Sequence, residues 1–442
     1  MRFGIALLAG VNAALLLSTA AFAADPIEPI VEVAAAPAPA FALTIGAGVV
    51  GYHLPDSAGL DDVFYGGIVG VSLSAPLDPI GDLGVSINGS GFISLATRSG
   101  EATTETLTDD STLVVFGPTL PAGVITLTTD PAAGTGSSDI TGTGPTDQSA
   151  VITSNVGGVV QGFGVDPSGP GDEFTYVGTS GDSVADRAFS FGAIASEDGG
   201  IFVAVGDLEG WEVTTETSQN LLYAGGDLTF ALSSNPASGD VVVTGYAGPS
   251  YRFMRLNTVT DITVDPAEMT PAVADFEYPN YTQSVDENVD THYLGGVLGG
   301  NVMIPVSTTS SLTLGAEAGV YHATTSYDGS ATYSVTGGGP TAVDESVTSA
   351  FDLGDTDDGF AYALRGQGTF TTAVSNQMQL SLGLGAEYLS RVASATTTLD
   401  GGSVTSDDED ATYDSAGAGT TTLFSYDDAW SWTATVSLTG QF

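Results

Sequence analysis

From Phe41 to the C-terminus the chain alternates apolar with small or polar residues at a period of two, the signature of strands with one apolar and one wet face. In the last segment Trp430, Trp432, Ala434, Val436, Leu438, Gly440 and Phe442 share one phase. Ser431, Thr433, Thr435, Ser437, Thr439 and Gln441 share the other. Segment 378–391 repeats this, with Met378, Leu380, Leu382, Leu384, Ala386 and Tyr388 opposite Gln379, Ser381, Gly383, Gly385, Glu387 and Arg391. Segment 83–97 sets Leu83, Val85, Ile87, Ile93 and Leu95 against Ser86, Asn88, Ser90 and Ser94. Strands of a soluble sandwich usually run about 5–6 residues, whereas crossing a bilayer at a tilt takes about 9–11, and these segments are long enough for that.

The joins between segments alternate in length. Short ones fall at 78–82, 196–199, 233–239, 307–310 and 375–377, and long ones at 54–62, 98–186, 213–220, 257–290, 328–358 and 395–427. This alternation predicts an all-β, antiparallel up-and-down transmembrane β-barrel of about twelve strands, with ten or eight as alternatives, and long β-rich extracellular loops. Closure is required because an open edge in lipid leaves backbone groups unpaired. The strand count turns on 187–212, where RAFSFGAIA, the turn SEDGG and IFVAVGDLEGW read as a membrane hairpin or as part of an outer loop. The similarity of 91–106 to 200–217 favours the membrane hairpin. The largest loop, 98–186, carries its own hairpin pattern, TLVVFGPTLPAGVITLTTD, and reads as a β-rich outer extension, with entry into the lumen as the alternative.

Met1 and Arg2 lead into an apolar run ending at Ala21-Phe22-Ala23, so residues 1–23 read as a secretory signal peptide. Residues 24–40 are a Pro/Ala-rich periplasmic tether and 41–442 the barrel domain.

Charge then narrows the function classes. The chain has 53 acidic residues against 7 basic ones, a net charge of −46, and no cysteine. Without a basic patch to hold phosphates, nucleic acid is excluded as a partner. Without cysteine, thiolate metal sites, thiol nucleophiles and disulfides are excluded too. Most of the acids lie in the long joins, making the exterior a cation-attracting canopy. Aromatic residues gather at strand ends, where interfacial girdles belong, among them Tyr52, Tyr65, Tyr251, Tyr362, Tyr388 and Trp430.

The signal peptide, the acidic Pro/Ala-rich start, the repeated alternating segments and the terminal WSWTATVSLTGQF together resemble Gram-negative outer-membrane barrels. The chain is similar in particular to the alphaproteobacterial Omp25/Omp31-like porin-type surface barrels. The resemblance implies a cell outer-membrane location and a last strand, marked by Trp430, Trp432, Val436, Leu438 and Phe442, that the barrel insertion machinery reads. Gly440 departs from the pattern, since a large apolar residue is usual there. The implied function is a porin-like or structural surface barrel, passively admitting cations or small neutral solutes if the lumen is open. A surface interaction or adhesion barrel with divalent-cation-binding acidic loops is the alternative, and an autotransporter translocator a third. Outer-membrane lipid and lipopolysaccharide are the expected partners. No enzyme activity and no cofactor are expected, apart from divalent cations on the loops.

Look-alike motifs dissolve on inspection. Gly46, Gly48 and Gly51 spell GxGxxG, but Pro55 follows where a dinucleotide fold needs a helix. Asp355, Asp357 and Asp358 lie in a stretch that approaches a calcium loop without its register or closing Glu, which leaves an irregular cation site as the candidate. His53, His292 and His322 fall near outer strand ends. If Ile304 opposes Leu312, then His322 faces Leu294 and shares a face with His292. Arg252, Glu317, Arg365, Glu387 and Arg391 are the expected lumen charges. If Val374 opposes Met378, Arg365 and Glu387 face each other on the lumen wall.

Overall fold

The computed structural model describes residues 41–442 except 55–62, 101, 109, 142–147, 154–158, 168–172, 235–240, 268–275, 340–341, 352–355, 401 and 408. The expected signal peptide and tether lie outside the described residues, as does Asp355. The long alternating segments form β1 (Ala42–His53), β2 (Val63–Ile80), β3 (Leu83–Ser99), β4 (Glu212–Ser234) and β5 (Val242–Asp265). They continue as β6 (Asn280–Pro305), β7 (Ser310–Gly337), β8 (Thr356–Ser375), β9 (Met378–Asp400) and β10 (Gly419–Gln441). Each strand pairs antiparallel with its neighbours in chain order, and β10 pairs with β1, so the wall closes as a ring of ten strands. At the seam the Phe442 amide donates to the Phe41 carbonyl at 2.9 Å.

The alternation settles which face meets what. Val49, Val69, Ile93, Leu95, Leu298, Leu364, Leu384 and Val436 are exposed on the outer surface, and the opposite phase of the same strands is buried in the lumen. The expected register also holds: Ile304 faces Leu312, Leu294 faces His322 and Arg365 faces Glu387. The join at β8–β9 is tighter than expected, being only Asn376-Gln377, with the pairing slipping between Ala373 and Ser375.

The ring has ten strands and not twelve because 187–207 never enters it. Arg187–Ser196 and Gly199–Asp207 pair with each other inside a five-stranded sheet, in the order Asp110–Phe116, Gly199–Asp207, Arg187–Ser196, Phe174–Asp182, Val159–Asp166. A second five-stranded sheet, in the order Ser403–Ser406, Asp410–Asp414, Val124–Asp130, Thr135–Thr141, Gln148–Thr153, lies over the first. The inner sheet is apolar on both faces because both are covered. Phe189, Phe191, Phe202 and Ala204 pack toward the barrel with Trp211, Tyr281 and Tyr333. Ile194, Ile201, Val203 and Val205 pack outward on Ile125, Leu127, Ile140 and Tyr413. A membrane hairpin would need a lipid-facing phase, and this one has none.

The hairpin expected within 112–130 is also replaced. Its first arm joins the inner sheet and its second the outer one, so Pro118 and Pro121 span a corner between two layers. The double layer forms a cap seated in the barrel mouth. It is cradled by β5, β6 and β7, which at 24, 26 and 28 residues run well past what a bilayer needs. Tyr176 donates to the Pro279 carbonyl at 2.7 Å, Tyr278 to the Thr179 carbonyl at 2.9 Å and Gln283 to the Phe116 carbonyl at 3.0 Å. Gly200 is required at this joint, since a Cβ there would lie 2.3 Å from the Tyr333 ring.

Candidate functional site: a charge cluster across the lumen

The strand phase that carries Thr and Ser near the short-turn end carries five charges further up the lumen. On β7, β8 and β9, Glu317, Arg365 and Glu387 are in direct register, so one guanidinium is flanked by two carboxylates. Arg365 Nε donates to Glu387 Oε2 at 2.7 Å, and its Nη1 lies 3.3 Å from Glu317 Oε1. From the opposite wall, Arg252 on β5 makes a two-point contact with Asp227 on β4, at 2.9 Å through each Nη. Gly225 makes room for it, because a Cβ there would sit 2.5 Å from the Arg252 side chain. The two halves meet across the barrel: Tyr223 on β4 donates to Glu387 Oε1 at 2.7 Å, and Arg365 Nη1 lies 3.9 Å from Asp227 Oδ2. Phe92 lies beneath both guanidinium groups, at 5.3 Å from Arg252 and 5.9 Å from Arg365.

Two guanidinium and three carboxylate groups thus share one layer. The Arg252 side chain is 1% exposed, Arg365 4% and Glu317 5%, so these are core groups and not solvated wall charges. Below them the lumen is lined by hydroxyls that bond among themselves, as in Thr44 to Thr439 at 2.8 Å and Thr371 to Ser381 at 2.9 Å. Above them comes an apolar layer that includes Leu221, Met254, Tyr293, Ala361 and Leu389, and then the cap. Beside Arg365 and Glu387 a cavity of about 40 Å³, bordered by Tyr52, Tyr223, Ser431 and Thr433, has room for a few waters. A ten-stranded ring is little wider than the eight-stranded case that side chains just fill, so inward residues can occlude it.

Four of the five expected lumen charges meet in or beside this layer. Arg391 does not: a bulge carries it to the outer rim, where it pairs with Asp357 at 2.8 Å. Asp227 and Tyr223 were missed by the sequence reading, although both sit in the lumen phase of β4 with Ala231. Of the calcium-loop candidates, Asp357 is committed to Arg391, and Asp358 lies 3.9 Å from His322. Among the described residues no three His, Asp or Glu side chains are grouped to hold a metal. His292 bonds Tyr251 at 2.7 Å on the outer face, and His53 ends β1. Trp430, Trp432 and Val436 are exposed on the outer face of β10, with Leu438 in the same phase, and Phe442 is exposed just past the end of the strand.

The closed ring, its outward apolar band and its occluded interior define an outer-membrane-type β-barrel. No family model matches the chain, and no curated protein matches it. Among solved structures it is similar to the outer membrane protease OmpT from Escherichia coli, at 9% identity and a TM-score of 0.36, covering 91% of this chain and 96% of that one. It is also similar to the TodX deltaS2S3 mutant monoaromatic hydrocarbon channel, at 9% identity and a TM-score of 0.22, covering 92% and 91%. The expectation that the chain is not an enzyme is corrected by the first of these, since a protease is built on a barrel of this class. The likeness brings no activity, substrate or residue role to this chain.

Proposed function

We propose that the chain is an outer-membrane surface barrel that anchors a rigid acidic cap on the cell exterior and keeps its lumen shut at rest. The observation that carries this reading is the Tyr223 to Glu387 bond across the barrel, within a layer whose guanidinium groups are buried. A water-filled pore would leave those groups exposed. The cap adds support, because its inner sheet is buried on both faces and bonded to the segment that enters β6, at Tyr278 and Pro279. Insertion through the strand ending at Phe442, contact with lipopolysaccharide at the outer rim and kinship with the Omp25/Omp31-like surface barrels belong to the same reading. The test is conductance of the purified protein in a planar bilayer. The expected result is a silent membrane. Stable steps with cation preference that weakens as salt rises would restore the passive-channel reading and overturn this one.

A further inference from the structure

Above the apolar band the wall ends in a strand edge that no described strand pairs with. β7 bonds β8 as far as Ser326 and Thr356, and from Gly329 outward it bonds the segment Val343–Phe351 instead. That segment runs beside β7 for nine residues without a slip, and among the described residues it pairs with no other strand. Its second flank is left open because β9 departs from the wall lower down. The β8–β9 pairing ends at Ala363 and Leu389, and beyond that level β9 is paired with β10 alone among the described strands. The lumen face of the segment is covered, with Val347 and Phe351 buried and Phe351 at 6.1 Å from the Tyr327 ring.

The direction of the backbone groups follows from the turn at the start of β7. Val306 donates to the Ser310 carbonyl at 2.9 Å, and Ala373 donates to the Thr309 carbonyl at 2.8 Å. Even-numbered residues of β7 therefore bond β6, and odd-numbered ones bond the strand on the opposite flank. The pairs Tyr333 with Val347 and Val335 with Glu345 keep that parity. Val343, Glu345, Val347, Ser349 and Phe351 thus direct their amides and carbonyls at β7. Asp344, Ser346, Thr348 and Ala350 turn theirs to the open flank, and the side chains of these four are exposed. The edge stands in water and not in lipid, since the outward phase has changed from Phe360 and Tyr362 to Thr348, Ser346 and Asp344. Proteins usually blunt such an edge with lysine, proline or a bulge, and this one has none of the three.

We propose that the open edge of Val343–Phe351 takes an extended, basic peptide as an added strand. The proposal goes beyond the surface-barrel reading, since it holds whether the lumen conducts or is shut. Main-chain bonds to the four flank-facing residues supply the affinity, and the side chains beside them select the partner. Asp344 and Glu345 lie in the segment itself, and the chain around it has a net charge of −46. A second copy of the chain would bring like charge to this edge, whereas a cationic segment is drawn to it. Alternation of basic with apolar residues fits best, because one phase of an added strand lies beside Asp344 and Ser346 and the other beside Val347 and Phe351.

The probe is a short, dye-labelled peptide of alternating lysine and valine, and its fluorescence anisotropy is followed as purified protein in non-ionic detergent is added. The same peptide with its backbone amides methylated keeps the charge but cannot form the ladder, so it separates strand addition from ionic adsorption. The methylated peptide should bind about tenfold more weakly, the ratio that about 1.4 kcal/mol represents. Ser346→Pro removes a flank-facing donor without touching the bonds to β7, and it should weaken the unmethylated peptide by about tenfold as well. Asp344→Asn should weaken it by about threefold at low salt and leave it unchanged at high salt. Should Ser346→Pro fail to give folded, heat-modifiable barrel, the methylated peptide decides alone. Equal binding of the two peptides, equal binding to the Ser346→Pro chain or no binding at all overturns the proposal. Self-association of the unaltered chain that Ser346→Pro abolishes would give the edge to a second copy, and overturns it too.

Discussion

Replacing Arg365 by methionine should reveal how the lumen layer is held. The substitution keeps the apolar stem but leaves Glu317 without the guanidinium at 3.3 Å and Glu387 without the one at 2.7 Å, so that three carboxylates face Arg252 alone. Removing one partner of a buried pair typically costs about 3–5 kcal/mol, and the crowding of like charges puts Arg365→Met in that range. Glu387→Gln should cost less, about 1–3 kcal/mol. The amide still accepts the Tyr223 hydroxyl, and Arg365 keeps Glu317. At an effective dielectric of about 20, opposite charges 4 Å apart attract by about 4 kcal/mol, and desolvation offsets part of this. A double-mutant cycle should therefore show about 2 kcal/mol of coupling. The assay is reversible urea unfolding from lipid vesicles, followed by tryptophan fluorescence and by heat-modifiable electrophoresis. Additivity within about 0.5 kcal/mol would mean that the two groups are solvated separately, and the buried-layer argument would fall.

Other consequences are simpler to read. Leu438→Asp, or deletion of Phe442, should leave the chain uninserted and degraded, because Asp would enter the outward phase of β10; normal amounts of heat-modifiable barrel in the outer-membrane fraction would contradict this. Gly200→Ala places a methyl against Tyr333 and should destabilise cap docking by about 1–3 kcal/mol, seen as faster proteolysis within 174–207 with the barrel intact. In the exterior region, burial and then repulsion from Asp198 and Glu197 raise the Glu173 carboxyl above its ordinary value, while burial and then Glu212 and Glu277 raise Asp265. A raised carboxyl binds protons more tightly in the folded state, so its contribution is full below the ordinary value of about 4 and fades as pH climbs through the raised one. The urea midpoint of the cap, reported by buried Trp211 with Trp430 and Trp432 changed to Phe, should fall as pH rises from about 4. Glu173→Gln with Asp265→Asn should flatten that slope, and an unchanged slope would remove these two groups as its source.

The barrel was legible because each wall strand has one face in lipid and one in the lumen, so a single residue of phase fixes both. That is why Arg365 and Glu387 could be placed on one face. They do oppose each other, although the turn has two residues and not three and Met378 faces Ser375 and not Val374, the slip between Ala373 and Ser375 restoring the pairing. What failed to show lay where that two-environment rule stops applying. Residues 187–207 are buried on both faces by different layers, which leaves a continuous apolar run that mimics a membrane strand. Segment 112–130 has the alternation of a hairpin, but its arms are claimed by sheets whose other strands come from 199–207 and from 403–414. Arg391 kept the lumen phase in sequence and lost it to a bulge that no local composition announces. Tyr223 and Asp227 could have been flagged by their phase, but their bonds to β9 and β8 join opposite walls, and pairing sums reach only adjacent strands.

The cations show how the parts are joined. Of the arginines, Arg2 lies outside the described residues, and each of the other six has a specific partner. Arg98 bonds Gln219 at 2.8 Å and stacks on Phe64 in the upper lumen, while Arg252 and Arg365 hold the mid-lumen layer. Arg255 pairs with Asp290 at 2.5 Å and Arg391 with Asp357 on the rim, and Arg187 pairs with Asp207 inside the cap. No described arginine is spent on general surface charge, and there is no lysine to take that role. The exterior field is therefore set by carboxylates, and it is screened within about 8 Å at physiological salt. The lumen pairs are buried, and salt reaches them far less. The same excess of acid thus does two separable things: outside it keeps a thick, strand-rich cap hydrated, and inside it leaves two guanidinium groups outnumbered, so that each is tied to more than one carboxylate or wall carbonyl.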